Sequence, residues 1–221
     1  MAGTEENAET AAAVYVQGRP VDSYPVLPPG AFDATVRRIT VTGEEVLHRP
    51  CREVVEFGTV ELASLIDDMF ITMHIAQGAG LAANQVGADL RVFVFDCVDD
   101  DGVRNVGHLC NPVIDTSATA PRNLIEHTEG CLSVPGAESV MARPDRVSVH
   151  GTDMDGRPLV IEGTGYFARC LEHEVDHLNG IIYLDRMSRK ERRRVLREMA
   201  EHREEVFEAR RTRAARLTDR P

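Results

Sequence analysis

The five residues His173-Glu174-Val175-Asp176-His177 restrict this chain more than any other stretch of it. Residues four apart on a helix stand one turn above one another on the same face. Two imidazoles placed that way can bind one metal ion without bending the backbone. The surrounding segment, Tyr166 to Leu178, predicts a helix that stops at Gly180. Glu174 directly follows the first histidine, so its carboxylate stands beside a water held at the ion. There it can take a proton and later deliver it to a leaving nitrogen. Taken alone, the pattern also fits a surface helix with two exposed histidines.

A metal centre with an open position needs a third protein ligand. Zinc endoproteases with such a helix find it in a further histidine six residues on, past a glycine. Here Gly180 supplies the glycine, but Tyr183 occupies the histidine's place, and His202 lies far along a basic segment. Cys131, in Glu129-Gly130-Cys131-Leu132-Ser133, is the better third ligand. Its thiolate donates more charge than an imidazole, and Gly130 permits unusual dihedrals and close approach. The other four cysteines, Cys51, Cys97, Cys110 and Cys170, read as small buried apolar residues. A third element is Gly78-Ala79-Gly80-Leu81-Ala82-Ala83-Asn84-Gln85. Its small residues let a peptide backbone lie close, and Gln85 can aim an amide N–H at a developing oxyanion. No Lys-Ser or Lys-Thr pair follows, as a phosphate-binding loop requires.

The chain has 221 residues, enough for one domain with a sizeable core. An odd number of irregularly spaced cysteines argues against a secreted disulfide framework and suits a reducing cytoplasm. No apolar run approaches the ~20 residues of a membrane helix, and the acidic start of the chain is unlike an export signal. The net charge of −11 argues against broad nucleic-acid binding. From Arg189 to Arg216, however, eleven basic residues face six glutamates, a local balance of +5 that leaves −16 for the remainder.

Residues 1–34, rich in Ala, Glu, Thr and then Pro, are expected to form a flexible tail, with order beginning near Val36. A helix is predicted from Val60 to Gln77, capped by Thr59, with an apolar face of Leu62, Leu65, Ile66, Met69, Phe70 and Met73. Leu90–Phe95, Arg146–Thr152 and Arg157–Ile161 read as strands, the last two joined at Asp155-Gly156. A basic helix starts at Ser188, where Ser188 and Glu191 have capping-box spacing. Without regular β-α alternation the class is α+β. Residues 35–187 would form the catalytic domain and 188–221 a basic C-terminal helix and tail.

Together, in this order, the three motifs resemble the signatures of the peptide deformylase family. The resemblance extends from about Ile39 to Asp185 and includes Thr42-Gly43-Glu44-Glu45-Val46-Leu47 and Asn111-Pro112. It implies antiparallel sheets around a central metal-binding helix. It also implies hydrolysis of the N-formyl group from the starting methionine of nascent peptides, with release of formate. Cys131, His173 and His177 would ligate one divalent ion, Fe²⁺ physiologically, with Zn²⁺, Ni²⁺ or Co²⁺ able to replace it. Glu174 would be the base, and Gln85 with the backbone N–H of Leu132 would hold the oxyanion. Gly80, Gly130, Arg143, Tyr166, Arg169 and Cys170 are the expected substrate contacts, and the basic helix could dock on the ribosome. Many members carry an Arg shortly after the cysteine motif, where this chain has Gly136-Ala137-Glu138-Ser139, and Glu172 replaces their usual Gln. A zinc endopeptidase would have no use for Cys131 or Gln85. A catalytically inert metal-holding protein would not need the whole set.

Overall fold

The chain is built into the fold well before Val36. The computed structural model of the chain describes residues 14–116 and 123–218, so residues 1–13 of the expected tail lie outside the described residues. Its remainder is built into the fold. Val14–Val16 (β1) and Arg19–Val21 (β2) form a hairpin turned by Gln17 and Gly18, both at positive φ. β1 pairs in parallel with Val14 opposite Arg104, and Leu27 and Ala31 are buried in the core. Paired backbone and a few buried side chains override a composition that reads as disordered.

Val60–Ala76 (α1) matches its apolar periodicity, and Thr59 accepts from the Leu62 N–H at its start. It ends at Ala76, with Gln77 as its C-cap at φ 58°, close to the expected end. The chain then runs through Gly80–Ala82 (β3), Val92–Val98 (β4) and the long Arg104–Ile114 (β5). Leu124–Gly130 (β6) and Glu138–Pro144 (β7) pair as a separate two-stranded sheet. Arg146–Thr152 (β8) and Pro158–Thr164 (β9) pair with each other, and β8 joins the far end of β5. β5 can serve β1 and β8 along one edge because its register shifts between Cys110 and Val113, where Asn111 takes φ 50°. The Asn111 side chain clasps Val54, accepting from its N–H and donating to its carbonyl. Helices thus lie against sheets that are antiparallel except where β1 meets β5, the α+β class expected.

Gly165–Leu178 (α2) packs through Phe167, Ala168, Leu171, Val175 and Leu178 against Phe93, Phe95, Val149 and Ile161. Its other face, also buried, is polar: Arg169, His173, Glu174, Asp176 and His177. Gly180, at φ 76°, ends it; a Cβ there would lie 2.6 Å from the Arg49 backbone. Arg189–Thr218 (α3) starts where Ser188 accepts from the Glu191 N–H. The other half of the capping box is absent, because the Glu191 carboxylate accepts from Ser139 and Arg194. Val195 and Met199 are buried with Tyr183, Val134 and Met141. No helix among the described residues is long and apolar enough to cross a membrane.

His108 ties three of these pieces together. Its backbone N–H donates to Gln17 Oε1 at 2.8 Å, and its Nε2 accepts the Met154 N–H at 3.0 Å. Accepting requires a neutral ring, and burial accordingly depresses its pKa to about 4. A histidine held below its unfolded value of 6.5 contributes stability that is complete above pH 6.5 and is lost as pH falls toward 4. The loss over that window should be on the order of 2–3 kcal/mol. Urea unfolding at pH 4, 5, 6 and 7 should show it in the wild type and show it largely removed in His108→Gln. Parallel pH profiles for the two proteins would rule this assignment out.

Candidate metal centre and active-site cleft

The spacing of the α2 histidines does what helix geometry requires. The Nε2 atoms of His173 and His177 lie 3.2 Å apart, and Cys131 Sγ lies 3.1 Å from His177 Nε2. The three ligand atoms fall within 4.8 Å of one another, and all three residues are buried. Donor separations of this size are close to the roughly 3.4 Å edge of a tetrahedron with ~2.1 Å metal–nitrogen bonds. Three converging lone pairs repel one another unless a cation lies between them, so this donor set fits a divalent ion.

Cys131 reaches the centre from the end of β6. Side chains two apart in an extended strand share a face, so Glu129 points the same way and accepts from His173 Nδ1 at 2.7 Å. That bond directs Nε2 to the centre. Arg143 donates to the Glu129 carboxylate at 2.6 and 3.0 Å, and Arg169 adds a bond of 3.0 Å. Arg143 also donates to Asp176 at 2.6 Å, and Asp176 in turn accepts from Arg186. Burial alone would raise the Glu129 pKa, but His173 and Arg143 outweigh it and hold the carboxyl far below its usual range. His177 has no such carboxylate among the described residues. It is fixed through its backbone, whose carbonyl accepts from Asn84 Nδ2 at 2.6 Å.

Gln85 is oriented from behind. Its Oε1 accepts the Ala82 N–H at 2.8 Å, which turns Nε2 toward Ser133 Oγ at 3.2 Å and Cys131 Sγ at 3.7 Å. Glu174 is 3% exposed, and burial pushes its carboxyl up to about 7. Its Oε2 has no hydrogen-bond partner. The loop leaves room for this carboxylate because residue 80 is glycine; a Cβ there would lie 2.5 Å from Glu174 Oε1. The extended piece after Val36 braces both loops, with the Thr40 N–H on the Gln85 carbonyl and the Thr42 N–H on that of Ser133.

A cleft of about 740 Å³ opens over these groups. Gly80, Gln85, Gly130, Cys131, Leu132, Tyr166, Arg169, Cys170, His173 and Glu174 all line it, whereas Arg143 does not. Expected as a substrate contact, Arg143 is 2% exposed, and its guanidinium is held between Glu129 and Asp176. The donors of Arg169 are similarly engaged, by Glu129 and the carbonyls of Met141 and Ile125. Gly130 also departs from expectation. It is an ordinary strand residue opposite Glu138, without positive φ, and the nearest atom to an added Cβ would be 3.9 Å away.

A family model described as polypeptide deformylase matches residues 36–193. The chain belongs to the polypeptide deformylase family. Peptide deformylase 1 of Streptomyces avermitilis is 53% identical over 168 residues, 76% of this chain and 77% of that protein. Among solved structures, a peptide deformylase from Legionella pneumophila matches with a TM-score of 0.68 at 37% identity, covering 77% of this chain and 96% of that one. The peptide deformylase from Ehrlichia chaffeensis in complex with actinonin gives a TM-score of 0.67 at 35% identity, covering 76% and 97%.

The sequence motifs include Glu129, Asp176, Asn84 and Ser133 without revealing their role, which is to support the candidate ligands and Gln85. Glu129 had a legible signal, two residues before Cys131 on a strand. The other three had none, because their partners are distant in sequence. Glu129→Gln tests the support. It removes the carboxylate that orients His173 and strands the buried Arg143. Metal affinity should fall about 10–100-fold, and stability by about 3–5 kcal/mol. Chelator competition and urea unfolding measure the two. Unchanged metal affinity would mean that the bond to His173 Nδ1 is incidental.

Proposed function

We propose that the chain removes the N-formyl group from the amino-terminal methionine of newly made polypeptides, and that the residues of this cleft divide the work as follows. Cys131, His173 and His177 hold one divalent ion. When bound, the ion supplies an activated water and a Lewis-acid contact for the formyl oxygen. Glu174 receives the proton of the attacking water and passes it to the departing amine. A carboxyl whose pKa lies near neutrality suits both halves of that transfer. Gln85 Nε2 and the Leu132 N–H hold the oxyanion as the formyl carbon becomes tetrahedral. Gly80 and Gly130, without side chains on the cleft wall, let the peptide lie close, and Cys170 and Tyr166 border the methionine side chain. The observation that carries this reading is the buried Glu174 carboxylate in the cleft beside three converging ligand atoms. An endopeptidase would leave the oriented Gln85 amide without a task.

Ferrous iron is the ion assigned, with zinc, nickel or cobalt able to take the same ligands. A thiolate with two imidazoles suits Fe²⁺ and Zn²⁺ alike, so turnover has to separate them. Formate release per bound metal from formyl-Met-Ala-Ser should be much faster for anaerobically iron-loaded protein than for the zinc form. Glu174→Gln should keep its metal and lose about 10²–10⁴ in rate. Equal iron and zinc rates would refute the metal assignment. More than a few per cent of activity in Glu174→Gln would remove it as the base.

A protein that acts on nascent chains would work in the cytoplasm, beside the ribosome. The outer face of α3 exposes Arg189, Lys190, Arg192, Arg193, Arg197 and Arg203, a row that suits a polyanion such as the ribosome. Deleting α3 would uncover Val195 and Met199, so the appropriate variant is the full chain with Arg193, Arg197 and Arg203 changed to Glu. Its co-sedimentation with ribosomes at low salt should fall severalfold. Binding equal to wild type would exclude docking through this face.

A further inference from the structure

α3 does more than extend outward from the catalytic domain. It lies across the cleft, and Glu198, Val206 and Arg210 form part of its lining. The helix is fastened on both sides of the opening. Near its start Arg194 donates to the Glu138 carbonyl, and His202 sits against Gly136, where an added Cβ would come within 2.7 Å of His202 Cβ. Near its end Arg213 donates to the Ile75 carbonyl at 2.6 Å, in the last turn of α1. The loop after Cys131 and the loop after α1 therefore share one lid-like wall.

The charges along that wall are not equivalent. Glu198 accepts from Arg194 at 2.7 Å and is neutralised. Arg210 stands twelve residues further on, about 18 Å along the helix. It is paired with no carboxylate among the described residues. Its Nη2 donates to the Leu132 carbonyl at 3.1 Å, and its Nε is buried without a partner. Burial, and then Arg213, depress its pKa, the expected response of a cation that lacks a counter-ion. Glu129 is enclosed by His173, Arg143 and Arg169, and Glu138 lies at the opposite end, beside Arg194. The end of the cleft beside Leu132 thus presents one guanidinium with donors to spare, adjacent to the residue proposed to hold the formyl oxyanion. With the formyl group held at Leu132, the residues that follow the methionine lie within a few extended-chain steps of this guanidinium.

We propose that Arg210 is a specificity-determining residue that binds the side-chain carboxylate of an acidic second or third residue of the formyl-methionyl substrate. The inference rests on the deformylase reading above and adds a substrate preference to it. It assigns α3 a part in recognition, where the sequence suggested a role in location alone.

The test uses the full-length metal-loaded protein and four peptides: formyl-Met-Glu-Ser, formyl-Met-Lys-Ser, formyl-Met-Ser-Glu and formyl-Met-Ser-Lys. The readout is the ratio of kcat/KM for the Glu peptide over the Lys peptide at each position. In wild type the ratio should favour Glu by about fivefold at one position or both, carried by KM. It should shrink toward one at high salt as the pair is screened. Arg210→Gln should lower it to near one, and Arg210→Glu should invert it. If Arg210→Glu does not fold, Arg210→Gln decides. Loss of packing lowers both rates together and leaves the ratio alone. A wild-type ratio near one, or a ratio unmoved by the variants, therefore overturns the proposal and leaves Arg210 as a brace for Leu132. Absence of formate from all four peptides would instead overturn the deformylase reading, and this inference with it.

Discussion

Glu129 is a carboxylate taken out of water and surrounded by three donors: the His173 imidazole and the guanidinium groups of Arg143 and Arg169. Desolvating an ion costs several kcal/mol unless hydrogen-bonded charges surround it. That cost makes the arrangement specific. Arg143 comes from β7, Arg169 and His173 from α2, and Glu129 itself from β6, so the small sheet and the helix can meet in only one register. The orientation of His173, and with it the position of the metal, follows from satisfying Glu129. Asp176 extends the same logic to Arg186 beyond the helix.

The polar face of α2 would be prohibitive without these partners. Its opposite face explains why the helix is buried at all. Leu171 and Leu178 are fully enclosed among Phe93, Phe95 and Ile161, and each large side chain so buried is worth about 1.5–3 kcal/mol. Apolar burial on one side holds in place an arrangement of charges that could not assemble alone. Glu174 lies between the two environments. It keeps an unpaired oxygen in the site because Gly80 leaves that space open.

Much of the centre was legible because its chemistry is local. The ligand helix is five contiguous residues, the cap of α1 is a single threonine, and a period of 3.6 marks the buried face of α1. What escaped was long-range. β5 is broken by Asn105, Gly107, His108 and Asn111, so no alternation marks it, and its identity comes from neighbours on both edges. The amino-terminal hairpin was hidden for the same reason, since Gln17 meets Val106 and His108 far away in the chain. Arg143 looked available for substrate because its partners Glu129 and Asp176 lie 14 and 33 residues away. The position of α3 over the cleft had no sequence signal. Its basic outer face dominates the composition, and Val195, Leu196, Met199 and Val206 give only a thin apolar stripe for an inner one.

The wall formed by α3 has a consequence for the order in which the molecule is made. Arg210 bonds to a residue 78 positions earlier, and Arg213 to one 138 positions earlier. Contacts of such separation form late, after the loops they close have already been ordered. On a growing chain, Cys131, His173, Glu174 and His177 are all made before the helix that roofs them. Until α3 docks, the cleft lacks one wall, and Val134, Met141 and Tyr183 lack the cover that Val195 and Met199 give them. The docking of α3 therefore shields an apolar flank and completes the cleft in one event.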